Sequence, residues 1–260
     1  MMIKKFQLTA DLNQDSIDNI TNAWSLDENK VFHLNSNESP ENVRNFYESL
    51  GKKIGKLYNL AEDVSLGDRN NQKSNKIWME VRYDPKIQDA YRHSSNPQPM
   101  HTDGSYEMSW PNSTLMCCVA NASDGGETTF LDSKEIVKIL ETEDKKLLEF
   151  LLTTEVLHER SGAKKNKKIL EIKGDIYKVN FNYYCVSKKN SASTLNNVDK
   201  FFEFINSSQE VKKITKAIKL NSGDAVFWKD SEILHGRNGF IAHKDSDRFL
   251  WKCAINILDN

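Results

Sequence analysis

The sequence predicts a mainly β protein with helical decoration, a jelly roll or β-sandwich. Short apolar or alternating runs recur from Ile77–Tyr83 to Phe249–Leu258 and read as strands. Tight-turn signals fall between them, among them Asp124-Gly125-Gly126 and Asn221-Ser222-Gly223-Asp224. Only a few amphipathic stretches interrupt the pattern, and no repeat or linker divides the chain, so residues 1–260 are expected to form a single domain.

In chain order, Ile17, Ile20 and Trp24 are spaced for a short helix over 14–24. Ser39 can cap a second helix with Pro40 in its first turn, and Val43, Phe46, Tyr47, Leu50 and Ile54 line one face of it. Residues 1–75 are therefore expected to be mostly helical and to pack on the β core. A polar loop, Gly67–Lys76, leads to the alternating strand Ile77–Tyr83, closed by Asp84-Pro85. After an irregular stretch over 84–100, Ser113–Ala120 is a continuous apolar run, a buried strand, and Glu127–Leu131 follows its turn as another.

Asp132 or Ser133 caps a helix with Ile136, Val137 and Leu140 inward, and a second helix begins near Thr142. Strand-like runs recur at 154–158, 168–173 and 176–186, and Asn197–Ser208 reads as a helix. Ala225–Trp228, Ile233–Arg237 and Phe249–Leu258 complete the strands.

Composition narrows the function classes. Hydrophobic residues are 38% and charged residues 28%, ordinary for a globular protein with a sizeable core. With 36 basic and 37 acidic residues the formal net charge is −1, so no global field draws the chain to nucleic acid or membrane. The lysines at 164, 165, 167 and 168 read as a solvated loop. Met1–Lys5 lacks the apolar run of a secretory leader, no stretch approaches the length of a membrane span, and Cys117, Cys118, Cys185 and Cys253 have no zinc or Cys-x-x-Cys spacing. A reducing cytoplasm and a small-molecule partner are expected.

The densest chemistry lies in His101-Thr102-Asp103-Gly104-Ser105. On an extended segment residues two apart share a face, so an imidazole and a carboxylate are offered together, two-thirds of a facial 2-His-1-carboxylate iron site. By itself such a triplet is more often a hydrogen-bonded core pair. Among the other histidines, His235 ends an apolar strand and precedes Gly236, where backbone can approach a ligand closely. His93 and His243 lie in polar loops, and His158 reads as a strand residue. Arg248, thirteen positions after His235, opens the last strand; a planar guanidinium there suits a carboxylate, although an exposed strand-edge arginine is the commoner outcome. Thr128 can add a hydroxyl to the same anion, or serve only as a β-former.

Taken together, His101-Thr102-Asp103, Gly125-Gly126-Glu127-Thr128, Leu234-His235-Gly236-Arg237 and Arg248 resemble the iron(II)/2-oxoglutarate dioxygenases of the taurine dioxygenase and clavaminate synthase-like superfamily. The resemblance covers about residues 78–257 and implies a double-stranded β-helix, the jelly roll of these enzymes. It implies that His101, Asp103 and His235 are the metal ligands and catalytic centre, and that Thr128 and Arg248 bind the distal carboxylate of 2-oxoglutarate. Fe(II) would be the cofactor, with 2-oxoglutarate and O2 as cosubstrates. Oxidative decarboxylation to succinate and CO2 would be coupled to hydroxylation, or a related C–H oxidation, of a small polar metabolite, carboxylated or amino-acid-like. For the substrate the expected residues are Tyr106, Arg92, Arg237 and Lys252. Lys252 stands where the family often has a second arginine, and so gives up a planar fork. Competing readings are a catalytically silent jelly-roll binding protein, a cupin (whose His-x-His pair is missing) and a zinc hydrolase (whose His-Glu-x-x-His is missing).

Overall fold

Two β-sheets face each other, with helices on both outer surfaces. Residues 1–59, 76–87 and 90–258 are described in this computed structural model. The chain runs β1 (Met2–Gln7), α1 (Gln14–Trp24), β2 (Asn29–Asn35), α2 (Val43–Ile54), β3 (Gly55–Leu57), β4 (Met79–Arg82), β5 (Gln98–His101), β6 (Ser113–Ala120) and β7 (Thr128–Asp132). It continues through α3 (Ser133–Glu143), α4 (Lys145–Thr153), β8 (Glu155–Arg160), β9 (Ala163–Lys168), β10 (Leu170–Lys173) and β11 (Ile176–Val179). Helices α5 (Ala192–Ser207) and α6 (Gln209–Ile214) then lead to β12 (Lys216–Ile218), β13 (Asp224–Lys229), β14 (Ile233–Arg237) and β15 (Phe249–Ile257).

The larger sheet has the order β1-β2-β13-β6-β15-β3, with β4 also on β15, and the smaller has β12-β7-β14-β5. This is the jelly-roll, or double-stranded β-helix, arrangement that the sequence predicts. Strands at the centre of the large sheet are buried on both faces, which is why they read as continuous apolar runs. In β13, Ala225 and Phe227 face α1 and α2, whereas Val226 and Trp228 face the smaller sheet. In β6, Leu115 and Cys117 take the first side, Met116 and Cys118 the second. A third cluster lies behind the smaller sheet, where Leu131 and Leu234 pack against α3, α4 and α5.

The local signals explain most helix starts. Asn13 caps α1, Asp132 caps α3, Asp144 caps α4 and Ser191 caps α5, each accepting from a backbone N–H of the first turn. Helix α2 begins later than its Ser39 signal suggests, at Val43 after Asn42, with no side-chain cap.

The first 59 residues depart from the expectation of a mostly helical segment. Strands β1 and β2 pair in parallel, β2 pairs antiparallel with β13, and β3 pairs with β15, so this part supplies three strands of the main sheet. The lysine-rich 164–168 segment is strand β9 of a hairpin with β8, where side chains alternate between half-buried and exposed. The strand-like run at 168–173 divides between β9 and β10, and that at 176–186 ends at Val179, with a 3-10 turn over Tyr183–Cys185. Most of the expected polar loop Gly67–Lys76 lies outside the described residues.

Candidate metal and cosubstrate site

Strand pairing in the smaller sheet brings the first and last of the expected ligands together. β14 lies antiparallel to β5 with His235 opposite His101, and the register shifts between His235 and Arg237. Gly236 makes the approach possible, since a Cβ there would come within 2.7 Å of the Gln98 carbonyl oxygen. The two imidazole centroids are 4.2 Å apart. Asp103 does not continue the strand: β5 ends at His101 and the carboxylate sits in the following turn. Thr102 anchors that turn, its N–H donating to the Phe181 carbonyl at 2.6 Å. Asp103 Oδ1 is 3.9 Å from His101 Nε2, and Oδ2 is 3.8 Å from His235 Nε2. One ligand atom from each of the three residues falls within 4.8 Å of the others, the only such cluster of His, Cys, Asp and Glu among the described residues.

The donor chemistry fits a divalent metal. His101 Nδ1 lies 2.9 Å from the Pro99 carbonyl, which fixes the N–H there and leaves Nε2 as an acceptor, met by the Gln98 side-chain amide at 3.2 Å on the side of Asp103. Burial holds both imidazoles below their ordinary pKa, and for His235 the neighbouring His101 adds to this. Burial opposes ionisation of Asp103, but the Lys252 ammonium beside it holds its carboxyl well below the usual carboxylate range. Two neutral imidazoles and an ionised carboxylate are the protonation states metal ligation requires. His235 Nδ1 is buried without a hydrogen-bond partner and sits 3.7 Å from Asp230 Oδ1. Asp230 is itself held by Trp228 Nε1 at 3.0 Å and the Asp103 N–H at 3.2 Å. Burial and the neighbouring Asp103 push the Asp230 carboxyl well above the usual carboxylate range, and a small shift of the His235 ring would bring Nδ1 to that carboxyl group, the kind of side-chain partner metal-bound histidines usually have.

Beside the triad stand two buried arginines, stacked on one aromatic ring. The Arg237 and Arg248 guanidinium carbons are 5.1 and 5.6 Å from the Phe240 centroid. Arg237 donates to the carbonyls of Tyr91, Ser94 and Asn96, stapling that segment to β14. Arg248 Nε donates to the Gly126 carbonyl at 3.2 Å, and no carboxylate among the described residues pairs with it. Burial pushes these guanidinium groups down to about 10 and about 9, still charged at neutral pH. Gly126 is at φ +78, and a Cβ there would stand 3.1 Å from Arg248 Nε, so the turn read from sequence is also what admits the arginine. Thr128, at the start of β7, is buried opposite Arg237 and lines the same cavity as Arg248.

Residues 5–254 match the family described as "Taurine catabolism dioxygenase TauD, TfdA family". The chain belongs to that family. The dioxygenase resemblance drawn from the motifs agrees with this match, and this TauD/TfdA-family protein has solved structural relatives to compare. The non-heme iron oxygenase OrfP, in complex with Fe and alpha-ketoglutaric acid, aligns with a TM-score of 0.68 at 13% identity over 96% of this chain and 81% of that one. PvcB from Pseudomonas aeruginosa aligns at 0.61 and 16% over 97% and 86%. An asparagine oxygenase in complex with Fe(II), 2S,3S-3-hydroxyasparagine and succinate aligns at 0.63 and 12% over 94% and 80%. At these identities the likeness is one of fold. No curated protein sequence matches the chain.

The cavity of this family member measures about 1030 Å³ and is lined by the triad, Thr128 and Arg248 on one side. Tyr106, Arg92, Arg237 and Lys252, the residues singled out for substrate, all reach its wall. They are not equivalent. Arg92 Nε bonds to His93 Nε2 at 3.0 Å, Tyr106 lies under the Arg160 guanidinium at 5.8 Å, and Lys252 is bonded to Asp103. Sequence reasoning missed Asp230, Thr114, Gln98, Arg160 and the pair Tyr91–Tyr184, whose hydroxyls meet at 2.7 Å across the cavity rim. Only Asp230, at the end of an apolar strand and five residues before His235, carried a local signal.

Proposed function

We propose that His101, Asp103 and His235 hold iron(II), and that Arg248 with Thr128 receives the distal carboxylate of 2-oxoglutarate. The observation that carries this reading is Arg248, a buried cation facing the cavity beside the triad with no carboxylate paired to it among the described residues. A buried charge left without a partner is costly, and a planar fork is matched by a carboxylate. Bound there, iron(II) with 2-oxoglutarate and O2 supplies the oxidative chemistry: the cosubstrate becomes succinate and CO2 as a substrate C–H bond is hydroxylated or otherwise oxidised.

The chain's own residues do the positioning. Pro99 fixes the His101 tautomer, Asp230 stands ready to orient His235, and Thr114 Oγ1 donates to Asp103 Oδ2 at 3.0 Å. Arg237 holds the 91–96 segment, so that Tyr91 and Arg92 face the cavity from a fixed wall. The substrate is a small polar molecule, carboxylated or amino-acid-like. Arg92 and Arg160 on the lining support it, as do relatives solved with (3S)-hydroxy-L-Arg and 3-hydroxyasparagine. The shared sheets support one domain over the whole chain. Four free buried cysteines, and no helix among the described residues long and apolar enough to cross a membrane, support a cytoplasmic setting.

The test is succinate release, scanned over amino acids, sulfonates, betaines and sugar acids, with product mass measured. The expected result is Fe(II)- and 2-oxoglutarate-dependent succinate with one class gaining 16 mass units, the mass of one oxygen atom, or losing two hydrogens. Succinate formation that is unchanged in His235→Ala would overturn the site.

A further inference from the structure

The Asp103 carboxylate already holds one cation. Lys252 Nζ stands 2.7 Å from Oδ1 and 2.6 Å from Oδ2, so one ammonium bridges both oxygens. Lys252 comes from β15, opposite Met116 of β6, and its side chain is only 14% exposed. A divalent ion on His101, Asp103 and His235 needs one of the same two oxygens, on the side where both Nε2 atoms stand. An ammonium and a divalent cation sharing one small carboxylate repel each other, and in a buried site neither solvent nor salt screens them well.

We propose, resting on the metal reading above, that Lys252 is an internal competitor for the metal rather than a clamp given over to substrate: its ammonium leaves at least one Asp103 oxygen as the ion enters. Removing the lysine then has two effects that favour the metal, set against the loss of the cation that keeps the buried Asp103 carboxyl ionised. The carboxylate loses the cation that neutralises it, and the entering metal loses a repelling neighbour. Thr114 Oγ1 still holds Oδ2, so the carboxylate stays in place.

The experiment titrates Mn(II) into the EDTA-stripped full-length protein without 2-oxoglutarate, counting free Mn(II) by its electron paramagnetic resonance signal. Lys252→Met is expected to bind Mn(II) at least ~10-fold more tightly than wild type, and Lys252→Arg, which keeps the charge, to stay within about threefold of it. Mn(II) should also raise the melting temperature of Lys252→Met more than that of wild type, since a ligand stabilises in proportion to its binding. If Lys252→Met folds poorly, Lys252→Gln carries the same expectation. Equal or weaker binding in the neutral variants would overturn the competition. The metal reading has a separate control: Mn(II) binding that His235→Ala leaves unchanged would overturn the site itself, whatever Lys252 does.

Discussion

Lys30, Asp132 and Glu232 form one buried ionic cluster of this protein, and Asp103, Lys252, His101 and His235 with nearby Arg248 form another. In the first, Lys30 Nζ is 2.7 Å from Asp132 and 3.4 Å from Glu232, tying β2 of the large sheet to β7 of the small one. Asp132 spends its remaining capacity as the cap of α3, accepting from the Lys134 N–H at 2.9 Å. Every charge there meets an opposite charge. In the second, among the described residues, Arg248 has no carboxylate and His235 Nδ1 no hydrogen-bond partner, and burial drives two imidazoles neutral. Both clusters pay desolvation, but only one is closed. Buried polar groups are normally satisfied, so incomplete satisfaction beside a cavity marks the place where a ligand completes the set.

The comparison can be broken at its closed side first. Lys30→Met leaves Asp132 and Glu232 buried without their cation, and the expected loss is about 3–5 kcal/mol of stability in denaturant titration. The KM for 2-oxoglutarate should stay at the wild-type value. A variant that loses cosubstrate affinity without losing stability would reverse the assignment of the two clusters.

The imidazoles give a pH signature. His158 is fully buried, with Nδ1 3.2 Å from the Val156 carbonyl, and burial pushes its pKa down to about 4. The unfolded chain, with histidines near 6.5, binds more protons than the native state between pH 6.5 and 4. Stability is therefore complete above pH 6.5 and falls as pH drops through that window, by about 3 kcal/mol for His158. His101 and His235, also held low, add to the loss with the same sign. Urea titrations at pH 7 and 4.5 should show this slope, and His158→Gln should flatten it. An unchanged slope in that variant would remove His158 from the account.

Arg248→Met tests the open cluster directly. Losing a charge-assisted pair costs about 2–3 kcal/mol, or roughly a 30- to 150-fold rise in the KM for 2-oxoglutarate. Fold stability should change little or improve, because an unpaired buried cation has gone. The smallest expected effect belongs to Thr128→Val, about 1 kcal/mol or up to roughly sixfold in the same KM, the value of one neutral hydrogen bond. An Arg248→Met enzyme with wild-type KM would place the cosubstrate elsewhere.

The candidate ligands were legible because their signal is local: His101 and Asp103 lie two apart, and Gly236 follows His235. The same holds for β6 and β13, whose apolar runs come from burial on both faces. Strand β2 was not legible. Asn29-Lys30-Val31-Phe32-His33-Leu34-Asn35 is interrupted by polar residues that are buried all the same. Lys30 is answered by Asp132 and His33 by Asp224 at 3.4 Å, partners 102 and 191 positions away. No window of sequence contains such pairs. The same reason hid the contact of Lys252 with Asp103, which depends on the register of β15 against β6. Arg237 read as a substrate cation from its motif, whereas its two terminal nitrogens are taken by three carbonyls of a loop 141 to 146 positions earlier.

The most direct measurement is the visible charge-transfer absorption that iron(II) and 2-oxoglutarate give when both bind one metal centre, recorded without oxygen. Wild type should develop the band only with both present, His235→Ala should not, and Arg248→Met should need far more 2-oxoglutarate to reach it. No band in wild type, or an equal band in His235→Ala, would contradict the assignment of His101, Asp103 and His235 as the iron site.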